Sequence, residues 1–372
     1  MIGLALVLMV AAAYSATFQS RPRARDLGIA AGSLAPGPLN AITDVDGVRV
    51  GHATIVEGDN VRTGVTAILP HGGNLFREKV AGAVFIGNAF GKLAGSTQVQ
   101  ELGTIESPIV LTNTLSVGTA LEAAVRWTLA QPGNGNVRSV NALVGETNDG
   151  GLNDIRGLHV TREHVTTAIT SAKAGAVEEG AVGAGTGTVA FGWKGGIGTS
   201  SRRVRQGQAT YTVGVLAQSN YGGKLTIAGV PVWKELSPRG RDQGLPSPGA
   251  DGSCMLIVAT DAPLDARDLE RLAARAIFAM ARTGSTYSNG SGDFAIAFST
   301  HPSLRVTGGN VAQQRTVLPT DAVSGLFEAT LDASEEAIYN SVLKATDMTG
   351  SGRTIRALPV EELKIVLKKY GR

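Results

Sequence analysis

From residue 43 onward, short apolar runs alternate with polar residues or end at glycine. Between 43 and 55, TDVDGVRVGHATI alternates apolar and polar positions around Gly47 and Gly51, the period of a half-buried strand. Runs at 83–86, 109–112 and 142–145 predict further strands. Those at 256–260 and 295–300 are apolar at consecutive positions, as in strands covered on both faces. Four segments carry the helical period instead. Leu121, Val125 and Leu129 form the stripe of a helix predicted over 119–130. Asp265 caps a helix predicted over 265–281, with Leu269, Leu272, Ala276 and Ile277 on its apolar face. A third is predicted over 334–346, with Ser334 as N-cap and Glu335 and Glu336 in the first turn, where the helix dipole favours anions. The last, over 360–370, ends on Lys368 and Lys369, charges that suit a C-terminus. Helices and strands mix without regular βαβ alternation or a fixed repeat. The expected class is therefore α+β, with helices covering sheet faces.

Two stretches fall outside this pattern. Residues 2–13 read IGLALVLMVAAA, the length of a signal-peptide h-region and too short to span a bilayer. Ala13-Tyr14-Ser15 follows as a small-residue cleavage pattern, so 1–15 is expected to be a signal peptide and the protein periplasmic or secreted. Without a functioning signal it would be cytoplasmic. No later apolar run approaches the length of a membrane span. Residues 237–252, SPRGRDQGLPSPGADG, are rich in proline and glycine, and an apolar strand begins directly after them. This is either a domain linker or a loop that presents the residue after it.

Composition narrows the class. The 372 residues suggest two domains by length alone, and 43% hydrophobic residues suffice for a sizeable core. Glycine occupies 49 positions, roughly twice the usual share of about 7%, which fits many tight turns. With 34 Lys and Arg against 31 Asp and Glu, no basic field for nucleic acid is implied. The single cysteine, Cys254, excludes an intramolecular disulfide and reads as a small core residue.

Few motifs carry chemistry by themselves. Gly183-Ala184-Gly185-Thr186-Gly187 lacks the G-x-G-x-x-G spacing of a dinucleotide loop and reads as a structural turn. The five histidines, His52, His71, His159, His164 and His301, form neither a metal-ligand spacing nor part of a G-x-S-x-G triad, so no metal or cofactor is expected. Gly252-Ser253 stands at the junction of the loop and the buried strand. A serine hydroxyl on a rigid strand, facing the carbonyl of an unhindered glycine, is placed to attack its own backbone. Hydrolysis of the resulting ester would leave a new chain beginning with serine, whose α-amine can serve as base for its own hydroxyl. Downstream, Ser291 and Asp293 lie two apart before another buried strand. In extended backbone they share a face, suited to relaying a proton.

Taken in order, Gly51-His52, 63–66 (TGVT), Gly145-Glu146 with Asp149, 183–187 (GAGTG), Gln218 with Asn220 and Gly222, Gly252-Ser253, and Ser291 with Asp293 resemble one family. It comprises the L-aminopeptidase/D-amidase-esterases and β-aminopeptidases, self-processing serine peptidases. The resemblance spans roughly residues 25–355. It implies a four-layer α-β-β-α sandwich related to the ornithine acetyltransferase fold, cut between Gly252 and Ser253 into an α chain (16–252) and a β chain (253–372). By the same matching, Ser253 is nucleophile, Asn220 an oxyanion-hole amide, Glu146 the ligand of the substrate's free ammonium, and Ser291 and Asp293 aids to proton transfer. Position 293 is glutamate in the β-peptide-cleaving relatives, and Gly151 stands where some carry a pocket aromatic. The choice among L-, D- and β-amino acyl groups in small peptides, amides or esters therefore stays open. Homotetramers of processed heterodimers are the implied assembly. The alternatives are an acyltransferase of the same fold, a glycine-rich binding protein without chemistry and, weakest, a nucleotide-binding enzyme.

Overall fold

The computed structural model describes residues 21–238 and 252–372. The signal segment 1–15 and all but the ends of the 237–252 stretch lie outside the described residues. In chain order the strands of the first half are β1 (Arg49–Glu57), β2 (Val61–Leu69), β3 (Val80–Ala89), β4 (Leu93–Ala94), β5 (Thr104–Ile105), β6 (Ile109–Asn113) and β7 (Leu143–Thr147). The second half adds β8 (Val189–Ala190), β9 (Trp193–Lys194), β10 (Gly196–Gln206), β11 (Ala209–Asn220), β12 (Ser253–Thr260), β13 (Gly292–Ser299), β14 (Met348–Gly350) and β15 (Arg353–Ile355). The helices are α1 (Ser96–Leu102), α2 (Val117–Leu129), α3 (Arg162–Thr170), α4 (Val232–Glu235), α5 (Ala266–Thr283), α6 (Ser324–Leu343) and α7 (Val360–Lys369).

One sheet has the order β1-β2-β6-β7-β4, the other β10-β11-β12-β13-β3-β5. Helices α2 and α3 cover the first, and α5 and α6 the second. Three separate apolar clusters fill the three gaps of this α-β-β-α stack. Along β12, Cys254, Leu256 and Val258 enter the core under α5 and α6, while Met255, Ile257 and Ala259 enter the core between the sheets. That period-2 division explains why the strand is apolar at every position. On β2, Val65, Ala67 and Leu69 face α2 and α3, and Ile68 faces the opposing sheet. The expected sandwich is present.

Local chemistry sets the helix ends. The Asp265 carboxylate accepts the Asp268 N–H at 3.0 Å and starts α5. Gly284, at φ 103°, ends it in the left-handed conformation that glycine adopts most easily. Two helical expectations need correction. In α2 the buried face is Val117, Ala120, Ala123, Ala124 and Thr128, whereas Leu121 and Val125 are half-buried and Leu129 is exposed. Small residues let this helix approach the sheet closely, which a count of large apolar side chains overlooks. Helix α6 begins at Ser324, not Ser334, and Ser334 is buried in its middle. Its Glu335 and Glu336 do not complement a dipole. Glu335 pairs with Arg282, and Glu336 pairs with Arg202 and Arg25. A helix buried on nearly every side has no amphipathic stripe to mark its start.

Candidate active site

Three strand ends converge on one point. The antiparallel register of β11 and β12 sets Asn220, the last residue of β11, opposite Ser253, the first of β12. The parallel register of β12 and β13 sets Ser253 against Gly292 and Cys254 against Asp293. Glu146 comes from β7 of the facing sheet. Glu146, Asn220, Gly252 and Ser253 all line one cavity of about 670 Å³, with Phe90, Leu115 and Ile355 on its apolar wall.

Gly252 is buried against the end of β11. A Cβ there would lie 2.4 Å from both the Asn220 carbonyl oxygen and the Tyr221 Cα, so only glycine fits. The Gly292 N–H is shared by two acceptors, donating to the Gly252 carbonyl oxygen at 3.1 Å and to Ser253 Oγ at 3.3 Å. Among the described residues this N–H is the only hydrogen-bond partner of Ser253 Oγ. The hydroxyl and the carbonyl preceding it are thus gathered by one donor.

Asn220 is fixed at both ends of its amide. Its Oδ1 accepts the Val189 N–H at 2.8 Å, and its Nδ2 donates to the Asn148 carbonyl at 2.8 Å. One Nδ2 proton remains for the cavity. Glu146 accepts the Lys92 backbone N–H at 3.0 Å, with the Lys92 ammonium 3.9 Å away. Burial nevertheless raises its carboxyl above the usual range, with donation from Lys92 and Thr114 opposing the shift. A carboxylate short of positive charge at a cavity wall can receive a cation.

Ser291 and Asp293 meet as their spacing predicted, Ser291 Oγ donating to Asp293 Oδ1 at 2.8 Å. They do not line the cavity. Asp293 lies on the strand face of Ala295 and Ala297, toward the helices, with the Cys254 backbone N–H near its carboxylate directly behind the nucleophile. Its Oδ2 is buried and has no partner among the described residues. Burial pushes the Asp293 carboxyl up to about 6, against the pull of those two donors.

The remaining motifs have structural parts. A Cβ at Gly183, Gly185 or Gly187 would come within 2.5 Å of Thr66 Oγ1, the Ile197 nitrogen or the Arg62 carbonyl oxygen respectively. Cys254 is fully buried, and burial raises its thiol well above the ordinary value. His52 bonds Thr66, His71 the Glu78 carbonyl, His159 Asp154, His164 the N-cap Thr161, and His301 Ser303. Among the described residues no group of three His, Cys, Asp or Glu side chains is placed to hold a metal, and no helix is long and apolar enough to cross a membrane. Gly151 does line the cavity, and a Cβ there would meet nothing within 4 Å.

Several residues at the site escaped the sequence. Gly292 acts through its backbone, which no motif reveals. Lys92 and Thr114 reach Glu146 from loops beside other strands. Lys194 and Asp149 are both buried behind Asn220, without ion-pair contact but close enough for each charge to act on the other. Asp149 stood inside the recognised 145–150 segment, but nothing marked Lys194, a lysine among glycines, as buried.

A serine opening an inner strand of a four-layer sandwich is the arrangement of the N-terminal nucleophile hydrolases, and comparison with known proteins narrows the class. Residues 40–355 match the profile of peptidase family S58. A β-peptidyl aminopeptidase (BapA) of Sphingosinicella microcystinivorans is 43% identical over 94% of this chain and 93% of its own. Among solved structures, the PH0078 protein of Pyrococcus horikoshii OT3 superposes with a TM-score of 0.89 at 49% identity, covering 94% of this chain and 100% of its own. The L-aminopeptidase D-Ala-esterase/amidase of Ochrobactrum anthropi, described as having a variant of the same hydrolase fold, gives 0.88 at 37% identity over 95% and 99%. The chain belongs to peptidase family S58. It is a serine aminopeptidase, a hydrolase of the N-terminal nucleophile type.

Proposed function

We propose that the chain cuts itself between Gly252 and Ser253 and that Ser253 then removes N-terminal residues from small substrates. The observation that carries this reading is the Gly292 N–H, bonded at once to the Gly252 carbonyl oxygen and to Ser253 Oγ. In the cut, Oγ attacks the Gly252 carbonyl carbon and its proton passes to the departing Ser253 nitrogen. The C–N bond breaks, and the acyl group rests on Oγ as an ester. Water hydrolyses that ester, leaving a carboxylate on Gly252 and a free α-amine on Ser253.

The same hydroxyl then attacks a substrate carbonyl, its proton taken by the new α-amine with Ser291 and Asp293 close behind. The free Nδ2 proton of Asn220 meets the oxyanion, an interaction worth roughly 3–4 kcal/mol in comparable sites. Glu146 holds the substrate ammonium, which restricts the enzyme to substrates with a free N-terminal amine. The leaving amine departs protonated, and water releases the acyl group from Oγ.

Two features bear on the acyl group. Similarity to a β-peptidyl aminopeptidase favours β-amino acids. The open space at Gly151, on the cavity wall, favours bulkier α-amino acyl groups. Rates on L-alanine, D-alanine and β-homoalanine p-nitroanilides decide between them. Residues 1–15 would be removed on export to the periplasm, leaving 16–252 and 253–372 assembled as a tetramer of heterodimers. N-terminal sequencing and light scattering test those two steps.

Intact mass measures the cut directly. Active wild-type protein should contain a 120-residue chain beginning at Ser253, and Ser253→Ala should remain whole and inactive. A single uncut chain in fully active protein would falsify the proposal.

A further inference from the structure

Lys194, at the end of the short strand β9, is completely buried. Its ammonium donates three hydrogen bonds of 2.9 Å each, to the carbonyls of Gly185, Thr188 and Gly195. Among the described residues no carboxylate lies within ion-pair distance. A buried ammonium is costly even when its protons are satisfied, and a simple core contact could be made by an apolar residue at lower cost. Burial lowers its pKa to about 7, while the nearby Asp149 charge works in the opposite direction.

The partners of Lys194 lead to Asn220. The Thr188 carbonyl and the Val189 N–H are the two ends of one peptide unit. Lys194 holds the carbonyl end at 2.9 Å, and the N–H end donates to Asn220 Oδ1 at 2.8 Å. On the other side of the amide, Nδ2 donates to the carbonyl of Asn148 at 2.8 Å. The next residue is Asp149, the electrostatic partner of Lys194, itself held by Asn153 at 3.0 Å. Both anchors of the Asn220 amide therefore belong to segments gripped by, or paired with, the same buried charge.

We infer that Lys194 is a positioning residue for the reaction, locking the Asn220 side chain with its nitrogen toward Ser253. The lock matters because an asparagine amide has two opposite faces of nearly equal shape. With Nδ2 forward, a proton meets the oxyanion that forms on the substrate carbonyl. Flipped, Oδ1 would present lone pairs to that same negative charge. A cation on the Thr188 carbonyl also polarises the peptide unit, making the Val189 N–H a better donor to Oδ1. The flipped amide would set an N–H against that N–H, so the arrangement selects one orientation.

This inference rests on the oxyanion role proposed for Asn220, and a double-mutant cycle tests the two separately. The variants are Lys194→Met, Asn220→Ala and the pair, with kcat and KM measured on one alanine p-nitroanilide. Rates are normalised to the Ser253-terminated chain by intact mass. Lys194→Met alone should lower kcat about 10- to 100-fold with KM changed less than about twofold. In the Asn220→Ala background it should lower kcat by no more than about threefold further, because the amide it orients is gone. Equal losses in both backgrounds, a loss confined to KM, or wild-type kcat in Lys194→Met would overturn the inference. An Asn220→Ala enzyme with wild-type kcat would instead overturn the oxyanion role. Should Lys194→Met fail to fold, the isosteric Asp149→Asn replaces it in the same cycle. Its expected loss is about 3- to 10-fold, again absent without Asn220.

Discussion

Asp293 and Glu336 are both carboxylates with no exposure to solvent, yet their surroundings could hardly differ more. Glu336, on α6, receives the Arg202 guanidinium at 2.6 Å, the Arg25 Nε at 3.1 Å on each oxygen, and the Asn40 amide. Asp293, on β13, receives one serine hydroxyl, and among the described residues it has no cation and an oxygen without a partner. One region has spent its sequence on neutralising a buried charge. The other leaves a charge under-compensated beside a nucleophile. Equal burial thus accompanies opposite purposes, and what separates them is the supply of donors.

The strongest way to break this comparison is Asp293→Asn. If the carboxylate assists proton transfer around Ser253, kcat should fall by roughly two to four orders of magnitude. Stability should respond in the reverse sense. The folded-state pKa, near 6, lies above the reference 3.8, so the folded chain holds that proton more tightly than the unfolded one. Wild-type stability relative to Asp293→Asn should therefore fall as pH rises from about 4 to 6, by about 2–3 kcal/mol in all, and stay level above. Denaturant titrations across that window measure the slope. A slope of the other sign would mean that the carboxylate is stabilised in the fold. Activity should show an acid limb near pH 6 that Asp293→Asn removes. Burial also pushes Asp149 up to about 6 and raises Glu146, so a limb surviving in the variant is traced by repeating the profile in Asp149→Asn and Glu146→Gln.

Glu336→Ala should do the converse. It leaves Arg202 buried without its carboxylate and should cost about 3–5 kcal/mol of stability. The kcat per folded molecule should stay within about twofold of wild type. A large loss of turnover in folded Glu336→Ala protein would erase the distinction between the two regions.

Glu146 stands between these extremes, partly compensated by Lys92 and open to the cavity. Glu146→Gln should raise KM for aminoacyl substrates about 10-fold or more, the loss of one charge-assisted contact worth roughly 1.5–3 kcal/mol. An activated ester without an amine should be hydrolysed equally by both proteins. Similar KM changes on both substrates would mean that Glu146 does not read the amine.

The two regions were not equally legible in the sequence. Ser253, Gly252, Ser291 and Asp293 sit at strand starts, where period-2 patterning and turn residues expose them. Asn220 and Ser253 were both recognised, but their pairing arises from a register between strands separated by the 237–252 loop. The Glu336 region misleads because Ser334, Glu335 and Glu336 have the pattern of a helix N-terminal turn. That pattern implies solvent around Ser334 and Glu335, whereas α6 is enclosed by β10, β11 and α5. Lys194 was invisible for a related reason. Hydropathy places lysine outside, and only the three carbonyls that meet it explain why it is inside.

The weakest expected effect lies at the cavity rim and extends the comparison to a charge that has kept its freedom. Arg353 lines the cavity from β15 and is exposed, without an ion pair among the described residues. Its hairpin is held rigidly, since Arg62 Nε donates to the Thr349 carbonyl at 2.7 Å and the Ser351 N–H to the Asp59 carbonyl at 2.9 Å. An unpaired cation on an anchored hairpin at the mouth of a peptidase cavity suits the C-terminal carboxylate of a short peptide. Arg353→Gln should lower kcat/KM for a dipeptide about two- to fivefold, the scale of a solvent-exposed ion pair, and leave the corresponding dipeptide amide unchanged. Added salt should weaken the wild-type preference for the free acid in the same direction. If acid and amide lose equally, Arg353 shapes the rim but does not read charge. The ordering then sharpens to carboxylates alone, from the fully paired Glu336, through the half-paired Glu146, to the under-paired Asp293.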